Sequence, residues 1–238
     1  MTKESSFWVV LPTYNEVENI QALLSEIEEA YPGLSILIVD DNSPDKTGEV
    51  AETIAKDWPN GRLKVLHRPV KAGLGSAYRE GFTYALKHGA DFIIQMDADF
   101  SHDPRFLADL IHKMGTCDAV IGSRYTQGIS VVGWDFRRLL LSKLANFYVR
   151  IVTGLPVSDC TSGFRCIRRE VIESIGIHNI HSNGYAFQVE TIYRAYKKGF
   201  TIAEIHIIFT ERRGGSSKMG KKVIFEALWR VPWLRLTI

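Results

Sequence analysis

The sequence is poor in cysteine, with three in 238 residues. Cys117, Cys160 and Cys166 are odd in number and lack the paired spacing of a zinc site. That argues against a disulfide framework and for reduced structural thiols in a cytosolic protein. An excess of charge of one sign is also missing: 29 Lys and Arg against 27 Asp and Glu leave +2 at pH 7. So small a balance does not suit a binder that grips nucleic acid through bulk charge, and no nucleic-acid partner is expected. No uninterrupted apolar run approaches the roughly 20 residues that cross a bilayer. The opening Met1-Thr-Lys-Glu-Ser-Ser lacks the apolar core of a signal peptide. A soluble or peripheral protein is expected, with no internal repeat, low-complexity tract or linker.

What is present is ordinary for a globular domain: 45% hydrophobic and 24% charged residues, enough chain for one sizeable α/β domain. Phe7 to Leu11 reads as a buried strand stopped by Pro12. Asn15 can cap a helix from Glu16 to Ala30 that keeps Val17, Ile20, Leu23, Leu24 and Ile27 on one face. Strands follow at 34–39, 63–66, 92–96 and 119–121, alternating with helices at 49–58, 73–86 and 103–113. This alternation predicts a mostly parallel, doubly wound sheet. Further on, an amphipathic basic helix is expected over 136–152, a polar glycine-containing segment over 159–165, a helix over 184–198, a strand over 201–209 and a flexible basic loop over 212–218.

The stretch with the most chemistry is Phe92-Ile-Ile-Gln-Met-Asp97-Ala-Asp99. An apolar strand ends in two carboxylates two residues apart, and such residues share a face of an extended chain. Neighbouring anions repel unless a positive group lies between them. A hard divalent cation answers that need, and Mg²⁺ typically keeps places for substrate phosphates. Taken alone, two solvated loop carboxylates explain the pair better. Pro12 to Glu16 and Asp40-Asp41 also lie just past strand ends, where open α/β sheets bind ligands.

Taken together, Pro12-Thr-Tyr14-Asn-Glu16, Asp40-Asp41-x-Ser43-x-Asp45-x-Thr47, Lys71-x-Gly73-Leu-Gly75, Asp97-Ala98-Asp99, Gly122-Ser-Arg124-Tyr125, Thr161-Ser162-Gly-Phe-Arg165, Gly184-Tyr-x-Phe-Gln188-x-Glu190 and Arg212-x-x-Gly215-x-Ser-Lys218 form an ordered series. The series resembles the polyprenyl-phosphate (dolichyl-phosphate) mannose synthases of the family-2 inverting glycosyltransferases, which have the GT-A fold. The resemblance spans about residues 7 to 222.

The resemblance implies transfer of mannose from GDP-mannose to a polyprenyl phosphate of dolichyl type, giving a β-linked product. It implies nucleotide contacts from Pro12, Tyr14, Glu16, Val39 and Asp41, with Ala98 against the nucleotide and Mg²⁺ or Mn²⁺ on Asp97 and Asp99. Ser101 stands where some relatives place a glutamine as third ligand; its shorter side chain leaves coordination open. Arg124, Arg212 and Lys218 are implied phosphate-binding cations. Gln188 is implied near the donor sugar, with Glu190 beside it or behind it. Arg138, Ser162 and Arg165 are implied near the acceptor. A phosphate acceptor is already anionic at neutral pH and needs no general base. His67, His102 and His181 are read as structural.

The resemblance also implies a chain working at the cytosolic face of a membrane, through its surface or a membrane-embedded partner. The expected division is a GT-A domain over 1–222 and an amphipathic tail over 223–238. Trp229, Trp233 and their apolar neighbours beside Arg230 and Arg235 suit either an interfacial helix or one packed on the domain. Four rivals remain: a polyprenyl-phosphate hexosyltransferase using a UDP-sugar, a non-catalytic nucleotide-sugar binder, a phosphatase built on Asp97-x-Asp99, and a dinucleotide oxidoreductase. The last is disfavoured because Gly73-Leu-Gly75-Ser-Ala-Tyr78 breaks the Gly-x-Gly-x-x-Gly pattern and follows the third strand.

Overall fold

The computed structural model describes residues 5–211 and 221–238, with side chains described for 5–211 and 229–238. In chain order the elements are β1 (Phe7–Thr13), α1 (Val17–Ala30), β2 (Ser35–Asp40), α2 (Thr47–Asp57), β3 (Leu63–His67), α3 (Leu74–Lys87), β4 (Phe92–Gln95), α4 (Leu107–Lys113), β5 (Ala119–Ser123), β6 (Val131–Val132), α5 (Phe136–Thr153), β7 (Arg165–Arg168), α6 (Arg169–Ser174), α7 (Gly184–Lys197), β8 (Ile202–His206), β9 (Phe209–Thr210) and α8 (Lys221–Thr237). A seven-stranded sheet runs β3–β2–β1–β4–β7–β5–β8, and β6 pairs with β9. Every neighbouring pair in the large sheet is parallel except those of β7, which runs antiparallel between β4 and β5.

Side chains alternate across the strands, as the two-residue strand period requires. Val10, Leu37, Val39 and Ile93 pack with Tyr78 and Phe82 of α3 and Phe187 and Ile192 of α7. Val9, Leu11, Ile36, Ile38 and Ile94 pack with Leu23, Leu24 and Ile27 of α1 and Leu107 and Leu110 of α4 on the other face. Strands covered on both sides read as continuous apolar runs, which is why the sequence revealed them. Cys117, Cys160 and Cys166 are buried and unbridged, as expected.

The structure corrects the sequence reading in several places. Pro12 does not stop β1; the strand continues to Thr13, with Pro12 opposite Val39. On the other side β4 pairs no further than Val10 opposite Gln95. Pro12 therefore has a neighbour on one side only, an edge-like position that tolerates a missing N–H. Asn15 does not cap α1; it sits at φ 60°. The helix start is capped from the loop after β2: Ser43 Oγ accepts the N–H of Asn15, Thr47 Oγ1 that of Glu16 and Asp45 Oδ2 that of Val17. β7 lies within a stretch that the sequence left unassigned, because two arginines in four residues carry no strand signal.

α8 is packed against α7 and α5. Val231 and Leu234 are wholly buried in the core, and Arg235 donates to the Thr153 carbonyl at 3.2 Å. Leu234→Ala should therefore cost about 2–4 kcal/mol from transfer and cavity terms. Thermal unfolding should show that loss as a fall of several degrees, and an unchanged midpoint would make α8 an appendage.

Candidate active site

The loops after β1, β2, β3, β4 and β5 leave the sheet at one rim, because these strands are mutually parallel. Their polar side chains lock the loops to one another. Asp40 accepts from Thr13 Oγ1 and from the N–H and hydroxyl of Ser43. Asp41 accepts from the Arg68 guanidinium and from the N–H groups of Ala72 and Gly73, both at 3.1 Å. Lys71 Nζ lies 3.3 Å over the Tyr14 ring. The run from Asp40 to Thr47 is thus first a loop-fastening device. Pro12, Tyr14 and Glu16 are half-buried at this rim, and Asp41 is nearly closed off. The side chains of Val39 and Ala98 face the core, so any contact they make with a nucleotide is through the backbone.

Asp97 and Asp99 follow β4 directly and are half-buried. Tyr78 donates its hydroxyl to Asp97 Oδ1 at 3.2 Å. Burial, followed by the charge of Asp97, pushes the Tyr78 phenol well above its ordinary range, so it remains a donor. The Ser101 N–H bonds Asp99 Oδ1 at 3.1 Å. Phe100 takes φ 61°, a strained conformation for a bulky residue. The chain turns back there, and His102 Nδ1 accepts the Asp97 N–H at 3.0 Å. His102 is buried, stacked on Phe164 with ring centroids 5.1 Å apart, and burial lowers its pKa. It is a structural histidine, as expected, and it holds the carboxylate loop in place. Only the turn at Phe100 brings it there, and no sequence signal announces that turn.

Among the described residues no three His, Cys, Asp or Glu side chains form a metal cage. The two acidic side chains, Asp97 and Asp99, fit an Mg²⁺ or Mn²⁺ ion that completes its shell with substrate oxygens.

Two expected ligand cations are turned inward. Arg124 is 4% exposed and gives Nε and Nη2 to Asp159, both at 2.6 Å, and Nη2 to Thr161 at 2.8 Å. Burial pulls its pKa down, but the Asp159 carboxylate outweighs that and holds it above the ordinary arginine value. The pairing likewise keeps Asp159 below the usual carboxylate range in spite of burial. Arg165, implied near the acceptor, is wholly buried and donates to the carbonyls of Gln188 at 2.6 Å and Cys160 at 2.8 Å. Burial lowers its pKa to about 10, so it stays charged at neutral pH. Ser162 is also enclosed, donating to the Gly122 carbonyl at 2.6 Å and accepting the Phe164 N–H. All three are enclosed and bonded to protein groups. Arg138 stays at the edge, stacked over Trp134 at 4.3 Å and paired with Glu211 at 2.7 Å. Gln188 is buried, with its Oε1 accepting from Gln95 at 3.2 Å. Glu190 is taken up by Ser182, Arg194 and Arg230. Arg212 and Lys218 lie outside the described residues.

Arg124→Met would leave the Asp159 carboxylate buried without its partner, a change that costs about 3–5 kcal/mol. Urea titration should show that loss. Because Asp159 has a depressed folded pKa, its contribution is present above the ordinary carboxylate pKa of roughly 4 and lost as pH falls through the folded value. In the variant, burial without that partner raises the Asp159 pKa, so the gap between wild type and Arg124→Met should begin to narrow as pH falls through that raised value, before the wild-type pair titrates.

The chain matches the glycosyl transferase family 2 model over residues 8–176. It is 45% identical over 224 residues to the polyprenol monophosphomannose synthase of Mycolicibacterium smegmatis, covering 94% of this chain and 84% of that one. It is 41% identical over 222 residues to the undecaprenyl-phosphate mannosyltransferase of Micrococcus luteus, covering 93% and 90%. In fold it is similar to the glucosyl-3-phosphoglycerate synthase of Mycobacterium tuberculosis solved with phosphoglyceric acid, at TM-score 0.72 and 20% identity over 96% of this chain and 80% of that one. A complex of that enzyme with Mn²⁺, UDP-glucose and phosphoglyceric acid gives TM-score 0.70, again at 20% identity and the same coverage. The fold is GT-A, and the chain is a glycosyltransferase belonging to glycosyl transferase family 2, in the group of the polyprenyl-phosphate mannose synthases.

Proposed function

We infer that the protein transfers mannose from GDP-mannose to a polyprenyl phosphate with inversion, giving a β-linked lipid phosphosugar. The observation that carries this reading is the likeness to a polyprenol monophosphomannose synthase over 94% of the chain, with the Asp97/Asp99 loop intact at the sheet rim. Asp97 and Asp99 would hold Mg²⁺ or Mn²⁺, which supplies Lewis-acid stabilisation of the departing diphosphate. The fold neighbour solved with Mn²⁺ and UDP-glucose supports a metal and a nucleotide sugar as reactants. In the step itself, an acceptor phosphate oxygen forms a bond to the anomeric carbon as the carbon–oxygen bond to the nucleoside diphosphate breaks. No protein nucleophile or general base is required. Arg212 and Lys218 are the proposed phosphate cations, with Arg138 at the acceptor edge. Arg124 and Arg165 act by holding the 159–165 segment.

A lipid acceptor is supported by α5, which is amphipathic in the wrong sense for a water-facing helix. Its inner face is the more polar: Ser142 meets the Tyr125 hydroxyl at 2.7 Å, and Asn146 bonds Thr161 and the Cys160 N–H. Its outer face exposes Phe136, Leu140, Leu144, Phe147 and Ile151 by 46–75%. Exposed Arg137, Lys143 and Arg150 lie on the same helix. Trp229, Trp233 and Leu236 of the neighbouring α8 are also exposed. No helix among the described residues is long and apolar enough to cross a membrane. The pair therefore suits a peripheral bed on an anionic leaflet, the cytosolic face in this reading. In the sequence the membrane clue is the tail, open between an interfacial helix and one packed on the domain.

Transfer should be seen with GDP-mannose and a polyprenyl phosphate in a matrix that also contains UDP-glucose, UDP-GlcNAc, and dolichyl and undecaprenyl acceptors. A UDP-sugar preference would overturn the donor. Asp99→Ala should lower metal-dependent transfer at least about 100-fold, the several kcal/mol that a Lewis-acid ion supplies; a retained rate would remove Asp99 from the metal site. The double substitution Leu144→Glu with Phe147→Glu should weaken co-flotation with anionic vesicles at least about tenfold, given about 1.5–3 kcal/mol per buried side chain. Transfer to a short water-soluble acceptor should survive, and undiminished flotation would clear α5 of a membrane role.

A further inference from the structure

The short segment 181–183, which leads into α7, is held by three helices. From α3 the contact is backbone to backbone. A Cβ on Gly75 would lie 2.5 Å from the Ser182 carbonyl oxygen, closer than a side chain can stand, and 3.0 Å from Asn183 Cα. The start of α3 therefore rests on this segment only because position 75 is glycine. Arg79, one turn further along α3, donates to the same carbonyl at 3.4 Å. From α7, Glu190 accepts the Ser182 hydroxyl. From α8, Arg230 gives Nε to Ser182 Oγ at 3.2 Å and Nη2 to Glu190 Oε2 at 3.5 Å.

Glu190 is wholly buried and needs a cation. Arg194, four residues on in the same helix, already gives Nε and Nη2 to its Oε1 at 3.0 and 2.7 Å. Arg230 comes from 40 residues away and adds what Arg194 does not, a bond to the segment itself. Its guanidinium lies 4.3 Å over the Trp233 ring, which steadies it. On its other side the segment meets the rim. Asn183 Oδ1 would be 3.6 Å from a Cβ on Gly73, and the N–H groups of Ala72 and Gly73 are the ones that bond Asp41. Segment 181–183 thus stands between α8 and the loop fastened to Asp41.

We propose that Arg230 is a positioning residue for the donor nucleotide: it pins segment 181–183, which seats the start of α3 and with it the Asp41 loop. The proposal rests on the reading of this rim as the nucleotide edge of a glycosyltransferase. It makes α8 a support of the donor site as well as part of the membrane bed.

The test is calorimetry with GDP and Mn²⁺ on wild type, Arg230→Met, Ser182→Ala, the double variant and Leu234→Ala. Arg230→Met should bind GDP at least about tenfold more weakly, since a small misplacement far from a site can cost about 100-fold. Ser182→Ala should show a loss of the same kind. The double variant should lose no more than the weaker-binding single, because residues acting on one element are not additive. Leu234→Ala loosens α8 without touching the segment and should bind GDP within about twofold of wild type. In turnover, Arg230→Met should raise KM for GDP-mannose and leave KM for a short water-soluble polyprenyl phosphate within about twofold. Wild-type GDP affinity in Arg230→Met, an equal loss in Leu234→Ala, or losses that multiply in the double variant would each overturn the role. If wild type binds UDP in place of GDP, the donor reading alone fails, and the same outcomes with UDP decide for or against Arg230. If wild type binds neither nucleotide, both fall.

Discussion

Two charges taken out of water cost several kcal/mol each unless they meet and their remaining hydrogen-bonding atoms are satisfied. Arg124 and Asp159 meet this condition at 4% and 0% exposure, through two 2.6 Å bonds reinforced by Thr161 and by the Arg124 N–H. The pair joins the end of β5 to the segment that leads into β7. With Ser162 tied to the Gly122 carbonyl, it sets where that segment turns and so places Gly163 beside Asp97, His102 and Gln188. That segment is in this sense an electrostatic construction, and the residues with the strongest charges near the site serve geometry before they serve substrate.

The same division of labour runs along the rest of the rim. Asp40, Ser43, Asp45 and Thr47 fasten the loops after β1 and β2 to one another, and Asp41 fastens the loop after β3. Rigid loops position their remaining polar atoms without an ordering cost when a ligand arrives. Asp97 and Asp99 belong to a loop braced by Tyr78, by His102 and by a strained Phe100. Strain that persists because its surroundings over-determine it is a common mark of a working site. On the outer side, α5 joins this machinery to its surroundings: it helps hold the 159–161 segment with one face and leaves the other apolar.

Much of the architecture was legible along the chain. The apolar runs of β1, β2, β4 and β5 and the periodic faces of α1 and α3 gave the doubly wound sheet, because burial on both faces leaves an unmistakable composition. The ordered motifs gave the family. What was hidden has one cause: a residue's type does not say which way it faces. Arg124 and Arg165 look like ligand cations, yet their guanidiniums point inward to Asp159 and to backbone carbonyls. β7 could not be recognised, since Arg165 is buried only by its place between β4 and β5.

The sequence by itself determined the fold class, the family and the presence of a carboxylate pair at a strand end, because these follow from local periodicity and from residues that stand close together in the chain. Tertiary structure alone decided that β7 enters the sheet reversed, that His102 braces Asp97, and that Arg124 turns inward to Asp159. It also decided that α5 turns its apolar side outward. Each of these depends on contacts between residues far apart in the chain, where direction and burial are set by packing and carry no trace in local composition.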